Sequence, residues 1–166
     1  MGEKEMHRLM SLRQATEADI PLLVAHNHRM FEEVAHLQGR SHDPAALEAM
    51  ERAFHPYLRS GMADGTTMGW LIEVDGAAVA SAAISVVTSP PSPRNPTGRY
   101  GLLFGVYTEP TYRRQGLGRR VVQAAVDWCR AEGLRWVSLF ASDVGRPLYE
   151  SMGFGPTSHM RLDLRS

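Results

Sequence analysis

Asp75-Gly76 constrains this 166-residue chain more than any other feature. It stands between two runs of strand character, Thr66 to Val74 and Ala77 to Val87, and leaves room only for a tight turn. A two-residue hairpin turn needs positive φ at both central positions, which Asp and Gly tolerate. The two runs are therefore expected to be antiparallel neighbours in a sheet. Tyr100 to Thr108, stopped at Pro110, reads as a third main strand. Leu9 to Gln14, a short buried Trp136 to Phe140, and an alternating His159 to Leu164 read as further strands.

On either side the period becomes helical. Leu22, Leu23, Met30, Phe31, Val34 and Leu37 recur at helical spacing as far as Gly39. Thr16 or Asp19 caps that helix, with Pro21 in its first turn. Asp43-Pro44 opens a second helix, because proline at the first helical position loses no bond, and this helix is expected to end near Phe54, before Pro56. Leu117 to Glu132 and Arg146 to Met152 are helical up to Gly133 and Gly153. Ser89 to Gly98 holds four prolines and can be the interior of neither element. A hairpin-rich sheet with helices on both sides is an α+β layer architecture.

A chain of this length forms one domain, expected over residues 1–166, with residues 1–10 a flexible N-terminal extension. Apolar residues make up 43% and charged residues 22%, enough to bury a core. Eighteen acidic and eighteen basic side chains cancel, which argues against a nucleic-acid partner. All the basic residues except Lys4 are arginine, which fits either phosphate contacts or a compositional bias. The single cysteine, Cys129, excludes an internal disulfide and a Cys-based zinc cluster. Met1 to Met10 has no apolar signal stretch, and Ala77 to Val87 is far short of the ~20 residues that span a bilayer. A cytoplasmic protein with no membrane partner is expected.

The chemistry concentrates between Val106 and Arg120. A strand ends there, a turn follows, and a glycine-bearing segment opens a helix. A helix start exposes unpaired N–H groups and the positive end of the dipole, and Gly116 and Gly118 let an anion approach the backbone. Arg113, Arg114, Arg119 and Arg120 lie in this stretch with no acid between Thr111 and Arg120. Arginines at a helix start oppose the dipole, so an anion is the natural counterweight. Neither GxxxxGK[ST] nor GxGxxG occurs, since the third glycine position of the latter is Val121.

The stretch Arg113-x-x-Gly116-x-Gly118 after a strand resembles the acetyl-CoA motif of the GCN5-related N-acetyltransferase (GNAT) family. A second family element, Leu148-Tyr149-Glu150-Ser151-Met152-Gly153-Phe154, follows at the expected distance. Leu12-Arg13-Gln14-Ala15-Thr16 is similar to the family's first strand. The resemblance extends from about residue 11 to the end. It implies a three-layer α/β/α fold with a mixed, mainly antiparallel sheet splayed between the fourth and fifth strands.

It also implies transfer of an acetyl group from acetyl-CoA to a primary amine of a small molecule by direct attack, with no metal. Val106, Tyr107, Thr108, Arg113, Arg114, Gln115, Gly116, Leu117, Gly118 and Arg119 would hold the coenzyme, and a Tyr107 or Thr108 N–H would stabilise the oxyanion. Tyr149 occupies the general-acid position. Ser142 stands where the family often has a pantetheine-contacting Asn, and Gly145 replaces the usual alanine. Such folds also pair into dimers, so a homodimer is a further implied partner. A protein or peptide acceptor, a catalytically silent acyl-CoA sensor, and a non-CoA nucleotide binder are the alternatives.

The family has no fixed base. His28, Glu32 and His36 share one face of the first helix, which borders the acceptor site in such folds, so His28, Glu32 and Glu33 are candidate bases or ammonium-recognition groups. Glu73 faces either cleft or solvent, and Glu109 before proline is a weaker candidate. Arg94, Asn95 and Arg99, held by stiff prolines, form either a substrate-selecting loop for a carboxylate-bearing acceptor or a structured surface or dimer contact. Trp128 and Trp136 are expected in core or interface, and Cys129 in packing.

Overall fold

The computed structural model describes residues 9–165. Its sheet has five strands in chain order: β1 (Met10–Gln14), β2 (Thr67–Val74), β3 (Ala77–Thr88), β4 (Arg99–Thr108) and β5 (Val137–Ser138). The first four pair antiparallel and β5 pairs parallel to β4. Asp75 and Gly76 adopt φ of 51° and 81°, as the hairpin turn requires. Of the extension expected over residues 1–10, residues 1–8 lie outside the described residues. Met10 opens β1, and the Leu9 amide donates to Asp75.

Side-chain alternation along β2 divides the core into two layers. Trp70, Ile72 and Val74 point to one face, where Val121, Val122, Ala125 and Cys129 of α3 (Leu117–Ala131) cover them. Leu71 points to the other, where it meets Ile20 and Leu23 of α1 (Ile20–Leu37) and Leu58 of α2 (Pro44–Asp64). A fourth helix, α4 (Arg146–Ser151), lies beyond β5 in the chain, and its Tyr149 and the following Phe154 pack against the α3 layer. This is the three-layer arrangement expected.

Asp19 caps α1, and its carboxylate accepts from the Thr16 amide and from both Arg13 Nη atoms at 2.7 and 2.8 Å. Hydrogen bonding to Arg13 holds the Asp19 carboxyl down at about 2. Arg13 also binds Glu73 at 2.7 Å, so Glu73 ties β1 to β2 and is not a cleft residue.

Three expectations are corrected. The second helix does not stop before Pro56 but runs to Asp64. Pro56 is exposed, so the Arg52 carbonyl that loses its partner can be hydrated, while Phe54, Leu58 and Met62 keep one apolar face on the core across the proline. The fifth strand shrinks to Val137–Ser138 and is not buried: Trp136 is 40% exposed and Phe140 70%. His159 to Leu164 forms no strand, because none of its backbone pairs with the sheet, and its apolar side chains stand in water.

Candidate active site

β4 meets β5 only at Gly101↔Val137 and Leu102↔Ser138. Beyond these two pairs the strands diverge, and the outer edge of β4 from Leu103 to Thr108 is open. Gly105 sharpens the divergence. Ala83 pairs with Phe104 and Ser81 with Tyr107, so Gly105 and Val106 together oppose Ala82 in a β-bulge. Gly105 takes φ of 61° there, where a side chain would be strained, and bulges re-aim side chains beside functional sites. Strand alternation decides which peptide faces the opening. The Glu109 amide donates to Val79 on β3, and the Thr108 carbonyl accepts from Arg113 Nε at 2.8 Å, so the Thr108 peptide groups turn away from β3 into the splay.

The opening leads to the start of α3. After a short turn at Pro110–Tyr112, Arg114 takes φ of 62° and Gly116 of 79°, two left-handed positions that turn successive N–H groups the same way. Leu117 is buried and anchors the first turn of α3. Gly118 faces Leu148 Cδ2 and Thr108 Oγ1, with ordinary contact distances left for a Cβ. Donor amides, a helix N-terminus and the exposed arginines Arg114 and Arg119 suit a diphosphate. Gln115 sits in the same loop, its side chain donating to the Thr111 carbonyl. Arg119 donates to the Ser151 hydroxyl and so connects α3 to α4.

Arg113 is turned the other way. Its Nη2 is 2.6 Å from Glu33 Oε2, and its guanidinium lies 5.6 Å from the Tyr107 ring centre. The Tyr107 hydroxyl donates to Glu33 Oε1 at 3.3 Å, so both carboxylate oxygens of Glu33 are occupied. Glu32, Glu33, His36, Leu37 and Arg113 line a depression of about 350 Å³. His28 sits beside it between two acids, with Nε2 3.2 Å from Glu32 and Nδ1 2.7 Å from Glu51 of α2.

Tyr149 is half-buried and packs edge-on against Phe154, with ring centres 5.8 Å apart. Among the described residues its hydroxyl has no hydrogen-bond partner, and burial pushes its pKa up, so it holds its proton at neutral pH. Ser142 is a positioning group in this structure: its hydroxyl accepts from the Gly145 amide at 3.1 Å and its carbonyl from Arg146 at the start of α4. A Cβ at Gly145 would stand 3.1 Å from the Tyr149 ring and 3.3 Å from Ser142 Oγ, a tight fit that glycine relieves.

The structure does not bring Arg94, Asn95 and Arg99 to this site. They lie at the N-terminal end of β4, and nine residues of strand at ~3.3 Å each put roughly 30 Å between Arg99 and Thr108. Asn95 is buried and spends its amide on the Arg99 carbonyl, while the Arg94 carbonyl accepts from Arg135. The proline segment is therefore a structured loop pinned to the turn before β5. Trp136 stacks on Tyr100 there. Burial raises the Cys129 thiol to about 11, in keeping with packing.

One cluster escaped the sequence reading. His26 is fully buried, with Nδ1 2.8 Å from Ser81 Oγ and Nε2 3.5 Å from Glu109 Oε1; its ring lies 4.9 Å from that of Tyr107. Arg29 pairs with Glu109 as well. His26, Arg29 and Glu33 form the helix stripe that faces the end of β4, adjacent to the stripe of His28, Glu32 and His36. The available signal was Leu23, whose apolar stripe continues into His26 and Asn27.

The fold and this opening define the class. A profile of the Acetyltransferase (GNAT) family matches residues 31–154, so the chain belongs to that family. Among solved structures it is similar to a GCN5-related N-acetyltransferase from Ralstonia eutropha JMP134. The two are 30% identical over 95% of this chain and 100% of that one, with a TM-score of 0.85. A predicted acetyltransferase from Clostridium acetobutylicum, solved with acetyl-CoA, is 29% identical over 94% of this chain and 97% of that one, with a TM-score of 0.84. Among curated proteins, the [ribosomal protein bS18]-alanine N-acetyltransferase of Escherichia coli (strain K12) is 36% identical over 62 residues, or 36% of this chain. The match spans only 42% of that relative's length. Among the described residues no three His, Cys, Asp or Glu side chains gather as a metal ion would need, and no helix is long and apolar enough to cross a membrane.

Proposed function

We propose that the protein acetylates a primary amine of a small molecule by direct attack on acetyl-CoA. The observation that carries this reading is the splay of β4 from β5, with the amides of residues 114–118 at one end and the unpaired Tyr149 hydroxyl on the α4 side. The donor amides and arginines at the start of α3 would hold the diphosphate, and the open edge of β4 would align the pantetheine arm as an added strand. Acetyl-CoA supplies an activated thioester when bound. The Thr108 N–H, already turned into the splay, would hold the negative charge that grows on the carbonyl oxygen. Positioning then provides much of the rate.

Tyr149 donates the proton to the departing sulfur. A phenol, ordinarily ~10, gives its proton to a thiolate of ~8.5 uphill, and burial, which raises Tyr149, keeps it protonated but steepens that step, so local hydrogen bonding has to favour the transfer. Glu32 is the base we propose. It lines the depression and sits beside His28 Nε2, whereas Glu33 is held by Arg113 and Tyr107. Glu32 leaves the depression one carboxylate that Arg113 does not neutralise, which suits a cationic acceptor.

The test is thiol release from acetyl-CoA over a panel of small amines and N-terminal peptides. Small amines are expected to turn over. Tyr149→Phe is expected to lower kcat about 10²-fold or more while leaving acetyl-CoA affinity within a few-fold. Turnover of peptides alone would favour the second reading, a protein N-acetyltransferase, which the E. coli relative supports by what it acts on. Coenzyme binding with no turnover on any amine would favour an acyl-CoA sensor.

A further inference from the structure

We infer that Arg113, held by Glu33, is a positioning residue that fixes the Thr108 peptide before any ligand arrives, so that the Thr108 N–H is preset toward the splay. The task of that N–H, holding the thioester oxygen, rests on the acetyl-transfer reading. The free end of β4 needs such a device. β5 pairs with β4 only at Gly101 and Leu102, so residues 103–108 have a neighbouring strand on one side alone. The bulge at Gly105 and Val106 interrupts even that pairing just before Tyr107. Strand ends with few backbone bonds open at little cost.

One guanidinium grips β4 on both sides of the Thr108 N–H. Arg113 Nε donates to the Thr108 carbonyl at 2.8 Å, and the guanidinium lies 5.6 Å from the Tyr107 ring centre. It is anchored in turn on α1, where Nη2 donates to Glu33 Oε2 at 2.6 Å while Glu33 Oε1 accepts from the Tyr107 hydroxyl. The next residue is tied down as well: the Glu109 amide donates to Val79, and its carboxylate pairs with Arg29 of α1. Thr108 therefore stands between two residues that α1 holds, and its own carbonyl is pinned. Its N–H cannot turn away without breaking one of these contacts.

Stability is not what this pair supplies. The Arg113 and Glu33 side chains are 41% and 36% exposed, and an ion pair so open to solvent adds little. Its worth is geometric: a planar guanidinium holds a carbonyl and a carboxylate in one fixed arrangement, which a flexible ammonium does not. Of the two outward groups of Thr108, the carbonyl is spent on Arg113, so only the N–H is left to a ligand lying along this edge. A donor fixed in advance costs no reorganisation when charge grows on an oxygen.

Nitrogen-15 relaxation of the ligand-free chain is expected to give the Thr108 amide an order parameter of about 0.85. In Arg113→Lys and in Glu33→Ala it is expected to fall towards about 0.6, with the amides of β2 unchanged. Calorimetry is expected to leave the affinity of both variants for coenzyme A within a few-fold of wild type. On an amine that the wild type acetylates, kcat is expected to fall about 10–100-fold with KM for acetyl-CoA within a few-fold, since losing an oxyanion donor altogether costs about 10²–10³. A Thr108 amide that is mobile in wild type, or that stays rigid in either variant, overturns the proposal, as does an unchanged kcat in a variant whose Thr108 amide has become mobile. Coenzyme A affinity that falls well beyond a few-fold in Arg113→Lys, or rises in Glu33→Ala, also overturns it, by making the guanidinium a diphosphate ligand. If the wild type binds coenzyme A but acetylates no amine, the acetyl-transfer reading fails and the relaxation and affinity results alone decide the positioning.

Discussion

His26 shows how much one buried side chain can decide. It faces Ser81, Glu109, Arg29 and Tyr107, and burial, the dominant influence, lowers its pKa below the ordinary 6.5. A group depressed in this way stays neutral in the fold while the unfolded chain takes up the proton first. Stability is therefore full above about pH 6.5 and falls as the solution is acidified. Urea denaturation from pH 7.5 to 5.5 is expected to show this slope. His26→Leu is expected to flatten it, at a cost of about 1–3 kcal/mol at pH 7.5 from the Ser81 hydroxyl left unpaired. An unchanged slope would assign the titration elsewhere. Single residues were also where sequence reasoning read least well. Nothing in the pattern H-x-x-x-E-x-x-x-H tells which of two adjacent helix stripes faces the sheet. Arg113, which the motif resemblance assigns to the coenzyme, also forms an ion pair with Glu33, a contact 80 positions away that no local pattern shows.

At the scale of elements, legibility followed locality. The Asp75-Gly76 hairpin and the glycine-bearing start of α3 were readable because a few neighbouring residues determine each. The second helix outran its expected stop because tertiary burial of Leu58, which no local window reveals, outweighs one lost hydrogen bond at Pro56. Gly61, farther along α2, is packed against β2: a Cβ there would fall 2.2 Å from Thr67 Oγ1 and 2.6 Å from Thr67 Cβ. Thr67 is itself buried and bonded to Ser85, which accepts from Tyr57. Gly61→Ala, which would favour an isolated helix, is thus expected to destabilise the protein by about 1–3 kcal/mol in chemical denaturation. A stabilised variant would show that α2 rides more loosely on the sheet. Of the two C-terminal strands, the first shortened to Val137–Ser138 beside β4 and the second did not form. The alternation of His159 to Leu164 is real, but a strand needs an edge to pair with, and the period of a sequence does not supply one.

For the molecule as a whole, the width of the cleft depends on a joint two residue pairs long, at the end of the sheet away from Tyr149. Gly101 sits in that joint, and a Cβ there would stand 2.8 Å from Cys129 Sγ and 3.3 Å from Ile84 Cδ1. Gly101→Ala is expected to lower both melting temperature and acetyl-CoA affinity, and adding Cys129→Ala is expected to restore part of each by vacating the sulfur's space; calorimetry reads both. Failure of the second change to rescue the first would place the strain elsewhere. The same arrangement separates two tasks along β4. Its near end works as a hinge pin clamped by the interior, and its far end as a jaw lined by side chains of α1. Evolution can therefore re-tool the jaw for a new amine by exchanging surface residues of one helix, without touching the pin that sets how far it opens.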